Sequence, residues 1–271
     1  MSEYKFFRVE TEGHIAKVAM NNPQKSNALG AAFWRELKPL MRELHCREDV
    51  RAVLFYGEGK GFSSGMDFQE MAKEMPGFLE SKRCSDDLFI EAIHELQEAV
   101  NSISACRKPI IAVIHGYCIG AALDIALACD IRIGSKEAYF QAKEVAMAVI
   151  PDMGLIERLP LCVGEGVARE LVFTARKISA EKALELRLLN RLSENLEEAF
   201  KAAKEIADEI AENSPIAVQA AKKSFYNKDI ERIEANMRFA AQLNAKIIPS
   251  GDLIEAMTAL MQKRKPEFKG K

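Results

Sequence analysis

An acidic residue, Asp124, stands in the middle of a segment that is otherwise apolar. Residues 120–128 read Gly-Ala-Ala-Leu-Asp-Ile-Ala-Leu-Ala, which predicts a helix that is buried on nearly all sides. A carboxylate in such a helix is destabilising unless it is paired or has a function. The segment therefore indicates either a functional acid or a structural ion pair with Arg132 or Lys143.

Two further acids, Glu144 and Asp152, bracket the apolar stretch of residues 145–151. If both carboxyl groups face one apolar pocket, desolvation raises the pKa of each and makes it a proton carrier near neutral pH. The alternative for Asp152 is a helix cap, because a helix is predicted to begin near Gly154 and aspartate is common at the N-cap. On spacing alone the cap is the more common role for such an aspartate.

Two turns rich in small residues, 61–67 and 116–122, each follow a predicted buried strand. Small residues allow a ligand to approach the backbone closely. The second turn opens a helix, whose first N–H groups favour an oxyanion. Ordinary strand-to-helix connections are the alternative. Neither turn matches the fingerprints of nucleotide phosphate sites, so we predict neither ATP nor NAD.

The surrounding pattern predicts an α/β core followed by helices, with parallel strands because strand and helix alternate. Residues 69–85 are polar and irregular, which predicts a mobile segment. Strands are predicted at residues 9–11, 15–20, 52–56, 110–114 and 130–133, with helices at 31–44, 87–104 and 120–129. Later helices are predicted at residues 164–173, 180–187, 196–213, 216–225, 230–246 and 253–263.

The composition argues against several classes of protein. The chain has 271 residues, of which 48% are hydrophobic, so it can bury a large core. A net charge of −2 argues against nucleic-acid binding, and no apolar run is long enough to span a membrane. The six cysteines lack CxxC spacing, which predicts reduced thiols and no metal site. Residues 1–7 do not read as a signal peptide and residues 269–271 are no peroxisomal address, so we expect a cytoplasmic location.

From about residue 7 to residue 269 the chain resembles the enoyl-CoA hydratase/isomerase family, the crotonases. The likeness is carried by residues 22–29 and by the turns 64–67 and 120–122. It implies an α/β core of repeated ββα units over residues 1–195 and a helical oligomerisation region over residues 196–271. It also implies a homotrimer or homohexamer.

The same resemblance implies that the substrate is an acyl-CoA thioester, so that coenzyme A is part of the substrate and no separate cofactor is needed. The backbone N–H groups of Ser64 and Ala121 would bind the thioester oxygen, although the family often has glycine at the second position. A basic tail, residues 263–271, is usually a solvated terminus, but by this likeness it would hold a coenzyme A phosphate. The implied coenzyme A contacts are Lys25, Ser26, Ala28, Ser64, Gly65, Met66, Asp67, Phe68, Gly120 and Lys263.

Within the family the likeness is greatest to the Δ3,5-Δ2,4-dienoyl-CoA isomerases. Asp124, Glu144 and Asp152 match the three pocket carboxylates of that subgroup, whereas hydratases usually carry two glutamates and then a glycine. This implies that Glu144 exchanges a proton with the α-carbon, that Asp152 serves the ε-carbon, and that Asp124 orients or tunes them. The pair Ile150-Pro151 is similar to hydratases instead.

Three other functions stay open at this point. The first is an enoyl-CoA hydratase, in which Asp124 and Glu144 hold a water and Asp152 is incidental. The second is a hydrolase or dehalogenase of the same fold, with a carboxylate as nucleophile. The third is a protein that binds acyl-CoA without turning it over.

Overall fold

The strands form two sheets in the computed structural model, which describes residues 3–271. Residues 1 and 2, the start of the stretch read above for a signal peptide, lie outside the described residues. The strands are β1 (Phe7–Glu12), β2 (Ile15–Met20), β3 (Ala52–Gly57), β4 (Ile110–Ile114), β5 (Tyr117–Ile119), β6 (Ile131–Ser135), β7 (Tyr139–Gln141), β8 (Ile178–Ser179) and β9 (Arg191–Ser193).

The larger sheet has the order β1-β2-β3-β4-β6-β9, and all its pairs are parallel except β1 with β2. The smaller sheet has the order β5-β7-β8, with one parallel and one antiparallel pair. Strands β3 and β4 are buried along their whole length, as expected of apolar runs in a parallel sheet covered on both faces. The predicted α/β core is confirmed.

Most of the predicted helices are confirmed to within a few residues at each end. Short 3-10 helices at Pro23–Lys25 and Glu144–Met147 accompany them. The helices are α1 (Ala31–Cys46), α2 (Phe68–Glu74), α3 (Pro76–Cys84), α4 (Asp86–Ala105), α5 (Ala121–Ala128), α6 (Leu155–Val163), α7 (Glu165–Thr174), α8 (Ala180–Glu185), α9 (Leu196–Glu212), α10 (Pro215–Ile247) and α11 (Gly251–Met261).

Two predictions about local structure are wrong. Residues 69–85 are not irregular, since most of them belong to α2 and α3. The Asp67 side chain accepts a hydrogen bond from the Glu70 N–H and so caps α2. Residues 216–225 and 230–246 are one helix, α10, because the residues between them contain no proline or glycine to end it.

Helix α9 closes one face of the larger sheet. Its residues Ala199, Ala203 and Ala207 are fully buried and pack against residues of β2, β3, β4 and β6. The opposite face is covered by α1, α4 and α5. The boundary predicted at residue 195 places α9 in the oligomerisation region, whereas the helix is part of the core around the sheet. The oligomerisation role of the later helices stays a prediction.

Three general properties concern membranes, metals and cysteines. Within residues 3–271, every helix is too short or too polar to cross a bilayer. The described histidines, cysteines and acids form no cluster that could hold a metal ion. All six cysteines are free thiols.

Candidate active site

One cavity, of about 350 Å³, brings together most of the residues that the sequence singles out. It lies among the two small-residue turns, the start of α5, the Glu144–Met147 turn, and residues of α4 and α11. Its surface is mainly apolar, so a charged group inside it is poorly solvated. The predicted site residues that line it are Ser64, Gly65, Met66, Phe68, Gly120, Ala121, Asp124, Glu144 and Asp152.

Asp124 projects from α5 and is 1% exposed. Its Oδ1 atom has no hydrogen-bond partner among residues 3–271, and Arg132 donates to backbone carbonyls instead of to this carboxyl. Burial, followed by the nearby charge of Glu144, raises the pKa of Asp124 well above its ordinary range. The structural ion pair considered above is therefore not what holds this acid.

Glu144 begins the 3-10 helix at residues 144–147. Both of its carboxylate oxygens are buried without a hydrogen-bond partner among the described residues. Burial raises the pKa of Glu144 to about 7. A carboxyl group with this pKa can both take up and release a proton near neutral pH.

Asp152 is not a helix cap. Helix α6 begins after Gly154, and no side chain caps its first N–H groups. The Asp152 Oδ2 atom instead accepts a hydrogen bond of 2.6 Å from the side-chain amide of Asn244. Burial raises the pKa of Asp152 to about 6, and the bond from Asn244 opposes that rise. The cap alternative is therefore wrong.

Two backbone N–H groups at the first turn differ in their hydrogen-bond partners. The Ser64 N–H donates to the Ser26 carbonyl, over 3.1 Å. The Met66 N–H, two residues on, has no acceptor among residues 3–271. Met66 also lines the cavity. Met66 therefore carries the unpaired N–H at this turn, and the oxyanion role implied for Ser64 stays a prediction.

At the second turn the donor that the resemblance implies is the Ala121 N–H, at the start of α5. Ala121 is the first residue of α5, a position where the backbone N–H has no partner inside the helix. A β-carbon added to Gly65 would lie 2.5 Å from the Ile119 carbonyl oxygen and 3.7 Å from the Ala121 nitrogen. The two turns therefore pack closely against each other, and only glycine fits at position 65 between them.

The implied coenzyme A contacts do not all reach the cavity. Lys25 lies outside it and forms an ion pair of 2.8 Å with Glu70, and Asp67 is engaged as the cap of α2. Ser26 and Ala28 lie in the loop that packs against the first turn. Lys263 follows α11 and is exposed. The coenzyme A role of these residues stays a prediction.

Two buried amides beside Asp152 were missed in the sequence. Asn244 is 3% exposed and Gln97 is 4% exposed. Gln97 donates to the backbone carbonyls of Asp152 and Met237. Asn244 could have been recognised from its position in α10, beside the small residue Ala245, on the buried face of the helix. A polar side chain is uncommon on such a face.

Comparison with known proteins agrees with this geometry. The family model described as "Enoyl-CoA hydratase/isomerase" matches residues 10–271. The chain is 37% identical over 255 residues to the mitochondrial Δ(3,5)-Δ(2,4)-dienoyl-CoA isomerase of Mus musculus, covering 93% of this chain and 77% of that protein. It is 34% identical over 264 residues to the short-chain-enoyl-CoA hydratase of Clostridium acetobutylicum, covering 96% and 95%.

A solved structure matches as well. The carnitinyl-CoA hydratase of Mycobacterium avium superposes with a TM-score of 0.84 at 26% identity, over 99% of this chain and all of that one. The predicted fold is thereby confirmed as that of the crotonases. With a family match over nearly its whole length and relatives above 30% identity, the chain belongs to the enoyl-CoA hydratase/isomerase family.

Proposed function

We propose that this enzyme moves the double bonds of a 3,5-dienoyl-CoA to give the 2,4-dienoyl-CoA, as a step of fatty acid β-oxidation. The observation that carries the proposal is the position of Asp152, on the same apolar cavity as Asp124 and Glu144. Water addition to a 2-enoyl thioester occupies two carboxylates, near the α- and β-carbons. A third acid in the cavity suits a reaction that needs a proton further along the acyl chain.

The reaction begins when Glu144 removes a proton from the α-carbon. The electron pair spreads over the diene and onto the thioester oxygen. The deprotonated acyl chain is then an extended dienolate with negative charge on that oxygen. The N–H groups of Met66 and Ala121 donate to that oxygen and stabilise the charge as it develops. The closeness of the Glu144 carboxylate to Gly120, which precedes Ala121, supports this division of roles.

The reaction ends when Asp152 delivers a proton to the ε-carbon. The double bonds then lie at positions 2 and 4, and no atom has been gained or lost. With pKa values of about 7 for Glu144 and about 6 for Asp152, the pair together holds one proton near neutral pH. The reactive form is the one in which that proton lies on Asp152. Asp124, largely uncharged through burial, tunes the pair.

The proposal extends to the coenzyme A contacts and to the oligomeric state. Lys25 and Lys263 would bind phosphates of coenzyme A, and the chain would assemble as a homotrimer or homohexamer. Large apolar side chains are exposed on α7, α10 and α11, including Phe173, Ile216 and Phe225 at 73%, 83% and 77% exposure. Exposed apolar side chains of this size support assembly through these helices. The cytoplasmic location stays a prediction, and the mouse relative is named as mitochondrial.

A hydratase is the second candidate, and two observations favour it. The chain carries the hydratase-like pair Ile150-Pro151, and a short-chain hydratase is among its relatives. In that case Asp124 and Glu144 would hold the attacking water, and Asp152 would have no chemical task.

One pair of assays separates the candidates. The purified enzyme is given a 3,5-dienoyl-CoA, and the absorbance of the conjugated 2,4-dienoyl thioester is followed; a 2-enoyl-CoA is tested in parallel for loss of its double bond. Rapid conversion of the diene with slow hydration supports the isomerase, and the reverse result overturns it. Release of free coenzyme A would indicate a hydrolase, and binding without turnover a carrier.

A further inference from the structure

Asn244 holds the segment that carries Asp152 through three hydrogen bonds. Its Oδ1 accepts from the Ile150 N–H over 2.9 Å, and its Nδ2 donates to the Ile150 carbonyl over 2.9 Å. The same Nδ2 donates to Asp152 Oδ2 over 2.6 Å. The residue lies near the end of α10 and is 3% exposed, so no bond of this set competes with bulk water.

The two bonds to Ile150 decide which way the Asn244 amide faces. A flipped amide would set N–H against N–H and oxygen against oxygen at Ile150, so only one orientation satisfies the backbone. In that orientation the remaining N–H points to Asp152. Asn244 is therefore a fixed donor to this carboxyl group, and it never acts as an acceptor from it.

A fixed donor makes the two oxygens of Asp152 unequal. An N–H at 2.6 Å from Oδ2 stabilises negative charge on that oxygen. A protonated oxygen is a weaker acceptor than a carbonyl oxygen, so the acid form favours its proton on Oδ1. Gln97 holds the backbone of the same residue by donating to its carbonyl over 2.7 Å.

We propose that Asn244 is the positioning residue for proton transfer at the ε-carbon: it holds Asp152 so that Oδ2 is always an acceptor and Oδ1 exchanges the proton with the acyl chain. This inference rests on the proposed isomerase function. It also links the chemistry to the C-terminal region, because the acid follows the Glu144–Met147 turn whereas its donor lies on α10.

Other charged groups surround the pair, and none of them replaces the donor. Glu157 on α6 acts to raise the pKa of Asp152. Arg158, the neighbouring cation, donates to Asn101 and to the Met153 carbonyl. The charged groups around the cavity, with their elements, are Asp124 on α5, Lys143 and Glu144 at the 3-10 turn, and Glu157 and Arg158 on α6.

The test compares pH profiles of diene conversion for three variants. Asn244→Leu removes the donor at similar size, and Asn244→Asp keeps the acceptor for the Ile150 N–H while placing an oxygen opposite Asp152. The matched control is Asn236→Leu, which removes a partly buried amide-to-carboxylate bond of 2.5 Å from the same helix, but to Glu157. Thermal unfolding of each variant reports whether it is folded.

The bond from Asn244 favours ionised Asp152, so its loss raises the pKa of that acid. In the reactive form Asp152, the acid of lower pKa, holds the proton and Glu144 is ionised, so the acidic limb of the profile reports the pKa of Asp152 and moves to higher pH, by about one unit. We expect kcat to fall roughly 10- to 100-fold from the lost orientation. Exchange of the α-proton with heavy water, which needs only Glu144, is retained.

The control responds differently. Without Asn236, Glu157 is protonated more easily, which removes a negative charge near Asp152. The pKa of Asp152 then stays the same or falls, so the pH profile of the Asn236→Leu variant stays in place or moves to lower pH. If both Asn244 variants fold and keep the wild-type acidic limb, the inference is wrong and Asn244 is only structural. If the wild type itself does not convert the diene, it is the proposed function that fails. Should Asn244→Leu not fold, the Asn244→Asp profile decides.

Discussion

The Glu144 Oε1 atom lies 3.4 Å from the point that a β-carbon on Gly120 would occupy. The acid proposed to act at the α-carbon therefore touches the turn that also supplies the Ala121 N–H. The α-carbon of a thioester is bonded directly to the carbonyl carbon, so a base and an oxyanion donor must stand this close together. A β-carbon at position 120 would be in van der Waals contact with this carboxylate.

A first prediction concerns Gly120. Its backbone, with φ 56° and ψ −129°, lies in a region that only glycine adopts without strain, and an added methyl would contact the Glu144 carboxylate. Gly120→Ala should lower the free energy of unfolding by about 1–3 kcal/mol and also lower turnover. Gly164→Ala is the matched control, because Gly164 has φ 80° and open space around it, so strain should appear there without loss of turnover. Equal turnover of both variants would show that the contact with Glu144 is unimportant.

A second prediction concerns the donor at Ala121. Ala121→Pro removes its N–H at the first position of α5, where proline is tolerated by a helix. Turnover should fall roughly 10²- to 10³-fold, with little change in thermal stability. The control is Glu165→Pro, at the first position of the exposed helix α7, which should keep full turnover. A folded Ala121→Pro enzyme with full activity would remove Ala121 from the oxyanion hole.

A third prediction separates the two ends of the proposed reaction. Asp152→Asn keeps the size of the side chain but removes the proton carrier, so conversion of the diene should be lost while exchange of the α-proton with heavy water continues. Glu144→Gln should abolish both. The measurement is product absorbance together with deuterium content of the recovered thioester. If Asp152→Asn converts the diene normally, Asp152 is not the acid at the ε-carbon.

A fourth prediction concerns stability and pH. The pKa of Glu144 rises from 4.5 to about 7 on folding and that of Asp152 from 3.8 to about 6, so the folded state binds more protons than the unfolded state between these values. Stability must then fall as pH rises through about 4 to 7, by on the order of 3 kcal/mol for each acid.

The effect can be measured as the Tm of the Glu144→Gln and Asp152→Asn variants at two pH values. Glu144→Gln and Asp152→Asn should each gain in Tm relative to wild type at pH 8, and gain less or nothing at pH 5, where the folded acids are already largely protonated. A loss of Tm that is the same at both pH values would mean that these carboxyl groups carry no desolvation penalty.

The sequence by itself determined the fold class and the acids of the site. Apolar runs such as residues 52–56 and 110–114 predicted buried parallel strands, because a strand covered on both faces has no polar side. A carboxylate at position 124, inside an apolar helix, was recognisable for a similar reason, since burial of a charge needs an explanation.

Only the tertiary structure decided the roles that depend on contacts between distant segments. Ser64 and Met66 each have a backbone N–H, and the sequence cannot distinguish the two. The Ser26 carbonyl, 38 positions away from Ser64, accepts from the Ser64 N–H, whereas the Met66 N–H has no acceptor among residues 3–271. Asp152 reads as a helix cap until Asn244, 92 positions later, is seen to bind it. A hydrogen bond between distant residues leaves no periodic trace in the chain, because its geometry is set by packing and not by local backbone preference.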